Sequence, residues 1–325
     1  MPFLIAVLLS FVPALIYAAI VYWLDRFEKE PLRLLVGAFG WGAFVATTGA
    51  IIWGAVLQLG FEIFINDPFL IDLTGAALVA PLVEETLKGL AVAIIFVAFP
   101  HEFDSILDGM VYGAITALGF AATENVLYLY LGGYVQDGYP GMIALFVLRV
   151  ILGGWGHAVY TAFIGIGLAV ARLSPRWPIR VIAPLLGWAI AVFLHALHNA
   201  MATVLAGSLG GLVATLMVDW VSWLVVFGIV IGEILRERRW MRVYLREEVD
   251  LGIISEAHYR TAISIRRQAR ARMRGKTWRR FYGACAELAQ KKHQLATLGE
   301  ERGNTARIAA LRAQLSSLAP SVGTV

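Results

Sequence analysis

Long apolar runs separated by short polar loops fill the first 235 residues of the chain. A membrane-crossing helix needs about 20 predominantly apolar residues. Seven runs reach that length: 3–24, 34–59, 73–99, 108–131, 142–170, 181–206 and 212–235. The pattern predicts an all-α fold, a polytopic membrane helix bundle of about seven transmembrane helices over residues 1–235. The first run does not read as a cleaved signal, because no cationic segment precedes it and no small-x-small site follows before "DRFEKEP". From residue 236 to 325 the pattern changes to a basic helical tail. Leu288, Leu295 and Leu298, then Ile308, Leu311, Leu315 and Leu318, recur at near-heptad spacing on either side of "GEERGNTA". That spacing predicts an antiparallel helical hairpin, preceded by a short helix that follows a Gly turn and ends in a basic cluster.

Composition agrees with a membrane protein. Residues are 59% hydrophobic and 15% charged, against about 25% charged in a typical soluble domain. The single Cys285 excludes a disulfide framework and a cysteine-based zinc site. Charge is unevenly divided: from Arg236 onward there are 19 Lys and Arg against 8 Asp and Glu, and before it 8 against 15. Arg26, Lys29 and Arg33 follow the first run, Arg172, Arg176 and Arg180 follow the fifth, and the basic tail follows the seventh. The loops after runs two, four and six carry only acids, Glu62, Asp67, Asp72 and Asp137. The positive-inside rule then places the N-terminus outside and the tail in the cytoplasm of a multi-pass cell-membrane protein. A basic tail beside a bilayer is expected to contact anionic headgroups; with no recognisable nucleic-acid module, no nucleic-acid partner is expected.

The polar exceptions carry the chemistry. "ALVAPLVEETLKGLAVAIIFVAF" holds Glu84, Glu85 and Lys88 inside an apolar run, where a charge at the bilayer centre costs roughly 2.5–3.5 kcal/mol. Glu84 and Lys88 share a helix face, with Glu85 about 100° round. Run four carries Glu124 and Asn125, run five His157 with Thr161 on its face, and run six His195, His198 and Asn199. At about 1.5 Å per residue all lie roughly 10–20 Å from the outer end of their runs. Gly89, Gly119, Ala121, Ala122, Gly153, Gly154 and Gly156 beside them permit close helix packing. Each polar group alone has a structural explanation, such as a self-neutralising Glu84–Lys88 pair or an interhelical clamp at Glu124–Asn125. Four helices with polar groups at one depth instead point to a shared site. Asp219 and Glu233, nearer the ends of run seven, are expected to face water, and Pro81 to break run three locally.

A shared site of this kind could support hydrolysis, which needs a nucleophilic water, a base and a donor for the developing oxyanion. Glu84 or Glu85 would activate water, and Lys88 would hold the paired carboxylate. His157 and His195 would stabilise the oxyanion or protonate the leaving amine, with Asn199 orienting one of them. Glu124, Asn125 and His198 would support them. A metal is the other route: His157, His195 and His198 with a glutamate suffice for zinc, although no HExxH motif is present. Mid-membrane polar groups also characterise proton-coupled transporters and channels, but no inverted repeat is visible among the seven runs. A non-catalytic scaffold that binds transmembrane helices is the third class.

Read together, "VEETLK", "GFAATEN", "GHAVYT" and "HALHN", in order on consecutive runs, resemble the PrsW family of intramembrane proteases. That family is related to the CAAX-processing and bacteriocin-immunity membrane proteases. "WLDRFEKEP" and "LDGMVYG" are similar to it as well, and the resemblance covers roughly residues 4–234. It implies a membrane-embedded, glutamate- or metal-dependent peptidase cleaving a membrane-anchored protein in or near its transmembrane segment. One substrate class so implied is an anti-sigma factor.

Overall fold

In the computed structural model, residues 1–25, 29–300 and 303–323 are described; Arg26 and parts of "DRFEKEP" and "GEERGNTA" lie outside them. Among the described residues every regular element is helical. The membrane part consists of α1 (Pro2–Leu24), α2 (Leu32–Gly40), α3 (Thr47–Glu62), α4 (Pro68–Thr74), α5 (Ala80–Ala98), α6 (Ile106–Leu127), α7 (Val135–Leu145), α8 (Gly156–Leu173), α9 (Trp177–Val204) and α10 (Leu209–Tyr244). Four π-helical stretches, Trp41–Ala46, Gly75–Val79, Tyr128–Tyr134 and Phe146–Leu152, extend or join these elements.

Among the described residues five helices are long and apolar enough to cross a membrane, Pro2–Leu24, Leu32–Glu62, Ile106–Leu173, Trp177–Val204 and Leu209–Asp250. The difference from seven has two causes. Ile106–Leu173 is 68 residues long, which as one straight helix would be about three times the thickness of a bilayer core. It folds back at Gly138, whose φ of 66° and ψ of −151° leave the helical region at a position that only glycine occupies without cost. The second cause is α5, where Glu84, Glu85 and Lys88 remove the helix from the purely apolar set.

Helix α6 is the axis of the bundle and is buried from Leu107 to Ala122. Its contact with α8 is backbone to backbone. A Cβ on Gly109 would lie 2.2 Å from the Gly165 carbonyl oxygen, and one on Gly113 would lie 2.6 Å from that of Thr161. Small residues therefore set the helix separation, as expected where lipid supplies no hydrophobic drive between helices. Ser105 caps α6, accepting from the Asp108 backbone N–H while the Asp108 carboxylate accepts from the Ser105 N–H. Pro81 does not break its helix. It occupies the first turn of α5, and the preceding Gly75–Val79 π stretch absorbs the missing N–H and the ring's steric demand.

Helix α10 continues past Leu235 into the tail, followed by α11 (Arg246–Asp250), α12 (Glu256–Ala262), α13 (Ile265–Met273), α14 (Lys276–Leu298) and α15 (Asn304–Leu318). Helices α14 and α15 pack on each other, linked through Gly299 and Gly303, both at positive φ. Their core joins Phe281, Leu288, Ile308, Leu311 and Leu315 with Met241 and Leu245 at the end of α10. Beneath them Glu248 is fully buried and takes both Lys292 and Arg312 at 2.8 Å. The tail also reaches the membrane part: Lys291 pairs with Asp104 in the loop before α6, and Gln294 donates to the same carboxylate at 2.6 Å. All three side chains are buried.

Removing one member of a buried ion pair costs about 3–5 kcal/mol, because the other charge stays uncompensated. Asp104→Ala is therefore expected to loosen the tail from the bundle. Cys285 reports on this directly, since it is fully buried in the tail core and burial pushes its thiol up. Native wild-type protein should resist a maleimide reagent until denaturant is added, while Asp104→Ala should label at least roughly tenfold faster. Equal labelling rates would refute the docking contact.

Candidate functional site

Helix α5 brings three charges into the bundle, and its neighbours decide what each does. Lys88 and Glu85 are fully buried and Glu84 is 8% exposed. The Lys88 ammonium lies 2.6 Å from Glu85 Oε1 and 3.6 Å from Glu84 Oε2. The direct pair is thus with Glu85, three residues away, rather than with Glu84. Glu85 is saturated: Oε1 also faces His195 Nδ1 at 3.0 Å, and Oε2 accepts the Thr161 hydroxyl at 2.7 Å. Glu84 is the opposite case. Its Oε2 is shielded from solvent yet has no hydrogen-bond partner, and lies 3.9 Å from His195 Nε2.

His157 stands in the first turn of α8, just after the chain leaves helical geometry at Gly153–Trp155. Its Nδ1 is 3.3 Å from the Lys88 ammonium and its Nε2 is 3.1 Å from Glu124 Oε2. An ammonium can only donate, so Nδ1 is the acceptor and Nε2 carries the hydrogen given to Glu124. The His157 and His195 rings meet edge to face at 5.0 Å. Glu124 is also held by Arg149 at 2.7 Å, and Arg149 donates to Asn125 Oδ1 at 3.1 Å while covering the Tyr128 ring. The Lys88 ammonium lies 4.3 Å from the Phe120 ring centroid, a further contact for a buried cation.

The remaining residues singled out in the sequence sit slightly apart. His198 Nδ1 is 2.8 Å from Asp219 Oδ1, and the Tyr160 hydroxyl donates to the same oxygen. Asp219 is 3% exposed, so the expectation that it faces water is wrong; Glu233 is also buried and pairs with Arg236 at 3.1 Å. Both lie on the inward face of α10, which distance from the helix end does not reveal. Asn199 does not orient a histidine in this arrangement: its amide donates to the Ala76 carbonyl at 2.8 Å, within the Gly75–Val79 π stretch.

Three groups can hold a metal ion together. Glu84, His157 and His195 present ligand atoms within 4.8 Å of one another, whereas His198 is turned to Asp219. Two imidazoles and a carboxylate suit zinc. Glu84 Oε2, which accepts no hydrogen bond, is available as a ligand, and Glu85 holds His195 through Nδ1 as a carboxylate behind a metal-binding histidine does. The donor set therefore fits a divalent ion.

Arg149 and Tyr160 escaped the sequence reading, and Asp219 was read there only as a residue facing water. Arg149 gave the same signal as Glu84, a charge inside an apolar run. Tyr160 lay within the quoted "GHAVYT". Two cavities meet at this cluster. One, of about 410 Å³, contains Glu84, His157, His195, His198 and Asp219. The other, of about 480 Å³, lies between α3 and the Gly75–Val79 stretch and also reaches Glu84 and Glu124.

Residues 30–231 match the family described as PrsW family intramembrane metalloprotease. Protease PrsW of Geobacillus kaustophilus is 29% identical over 165 residues, 50% of this chain and 65% of that protein. Protease PrsW of Oceanobacillus iheyensis is 28% identical over 190 residues, 58% of this chain and 78% of that protein. Protease PrsW of Clostridioides difficile is 36% identical over 126 residues, 38% of this chain and 50% of that protein. The matches thus span from half to about four-fifths of these relatives. No solved structure matches the chain. With the family match running over more than half of its residues and through all four motif-bearing helices, the chain belongs to the PrsW family of intramembrane metalloproteases.

Proposed function

We propose that this chain is a membrane-embedded endopeptidase that hydrolyses a peptide bond in or near the transmembrane segment of a membrane-anchored protein, with Glu84 as the group that takes the proton from the attacking water. One observation carries this reading: a buried glutamate, Glu84, with one oxygen lacking a hydrogen-bond partner, lines a cavity that also contains His157, His195 and His198. Glu85 is not equivalent to it, because both of its oxygens are already engaged by Lys88, His195 and Thr161.

The other groups keep Glu84 in place and complete the donor set. Lys88 holds Glu85 ionised, and Glu85 accepts the Nδ1 hydrogen of His195, leaving His195 Nε2 as a lone pair toward Glu84. Glu124, anchored by Arg149 and Asn125, fixes His157. Asp219 accepts the Nδ1 hydrogen of His198, and only the protonated ring would then donate its Nε2–H to the oxyanion or the departing amine. Tyr160, stacked 5.3 Å from His195, ties that ring to the Asp219 carboxylate. Glu84, His157 and His195 would hold a divalent ion, which when bound supplies Lewis-acid polarisation of the scissile carbonyl and a more acidic water. Taking up such an ion would cost His157 one of its two present bonds.

The loop charges support an N-terminus outside and a tail in the cytoplasm. Family membership supports a membrane-anchored regulator, such as one of the anti-sigma class, as substrate, and the basic tail supports contact with anionic headgroups of the bilayer.

Glu84→Gln should cut hydrolysis of a single-span peptide in detergent micelles by about 10²–10⁴-fold without lowering the thermal midpoint, since Glu84 Oε2 has no bond to lose. Glu85→Gln should behave differently, destabilising the fold by about 3–5 kcal/mol because it leaves Lys88 buried beside a neutral partner. Full retention of cleavage by Glu84→Gln would sink the assignment. Asp219→Asn should lower kcat by roughly 10–100-fold with little change in KM, as expected for a group acting only in the transition state; a change confined to KM would refute its placement behind His198. Elemental analysis of purified protein should find about one zinc per chain, lost in His195→Ala; equal zinc in both proteins would exclude the Glu84–His157–His195 centre.

A further inference from the structure

Glu84 and Glu124, with Ala80 and Tyr128, line both cavities described above, so the candidate base is open on two sides. A polypeptide cut at its backbone must continue in both directions from the scissile bond. The cavity containing His195 and His198 and the cavity beside α3 both reach Glu84, so each can take one direction of the chain. Resting on the proteolytic reading, we propose that the 480 Å³ cavity beside α3 is a substrate subsite, which holds the unwound segment on one side of the scissile bond with Gln58 as a backbone partner.

Two features of its walls support this. The first is polar. A transmembrane helix satisfies its own backbone, and once it is unwound for cleavage each freed N–H and C=O within the bilayer needs a protein partner. Gln58 offers one: its Nε2 is spent on the Ile71 carbonyl at 3.1 Å, while its Oε1 is shielded from solvent with no donor. A substrate N–H meets that need. The second feature is space. Ala50 and Gly54 line the cavity, and a Cβ added at Gly54 would meet nothing within 4 Å, whereas one at Gly75 would lie 2.6 Å from Gln58 Oε1. This contrasts with Gly109 or Gly113, where glycine is required by the neighbouring helix. Gly54 leaves open volume next to a carboxylate, Glu84, that is itself nine-tenths buried and lacks a partner at Oε2. An extended peptide places alternate side chains on opposite sides, so one in two would face this pocket.

The test uses the full-length protein in detergent micelles with a library of single-span peptides randomised around the cleaved bond, read by mass spectrometry. Gly54→Phe fills the pocket, Gly54→Ala controls for loss of glycine, and Gln58→Leu removes the acceptor at similar size. Gly54→Phe is expected to reduce cleavage beside Leu, Ile or Phe at least about tenfold on one side of the bond only, sparing Gly and Ala, with Gly54→Ala like wild type. Gln58→Leu is expected to raise KM by about tenfold with kcat preserved. Unchanged residue profiles and KM in both variants of an active enzyme would overturn the subsite and leave the proteolytic reading intact. Should Gly54→Phe fail to accumulate, Gln58→Leu decides alone. Absence of any cleavage by wild-type protein would instead overturn the proteolytic reading, and the subsite with it.

Discussion

The buried Lys88–Glu85 pair is the interaction on which the rest of the bundle's polar interior depends. A lone charge within a bilayer costs several kcal/mol, and the pair is tolerable only because every valence of both groups is used. Lys88 faces two carboxylates, the His157 ring and the face of Phe120; Glu85 faces Lys88, His195 and Thr161. These contacts draw residues from α5, α6, α8 and α9, so satisfying one ion pair fixes the mutual position of four helices. The free oxygen of Glu84 is the by-product. With Lys88 closer to Glu85, the second glutamate is left under-coordinated in an otherwise saturated cluster.

Such a cluster needs helices closer together than ordinary side chains permit, and irregular where a carbonyl must be redirected. Gly109, Gly113 and Gly165 meet the first requirement along the α6–α8 contact. The π stretches meet the second: Gly75–Val79 aims the Ala76 carbonyl at Asn199, and Phe146–Leu152 precedes the break that sets His157 at the start of α8. π turns carry one extra residue per turn and concentrate at functional positions in helices.

Much of this was legible in the residues. Apolar run length marked out the helices, and charges within those runs marked Glu84, Glu85, Lys88 and Glu124, all of which converge in the structure. Spacing along a helix gives depth but not rotation about the axis, and the failures follow from that limit. Asp219 lies near a helix end yet points inward, and His198 has the depth of His195 yet faces Asp219 instead of Glu84. Asn199, one helical turn after His195, reaches back to a neighbouring backbone. The π stretches left no periodic signature, because a single inserted residue shifts the apolar stripe without ending it. Arg149 was readable by the same rule as Glu84, as a charge inside an apolar run.

Helix α10 runs without interruption from Leu209 to Tyr244, with Asp219 in its membrane portion and Met241 locked into the tail core. The two positions are about 33 Å apart along the axis. The helix contains neither a proline nor a π-bulge, two of the usual causes of a kink. Mechanically it is a shaft: a twist or axial slide imposed on the tail is delivered to the carboxylate that orients His198, and occupancy of the cavity exerts the same torque in reverse.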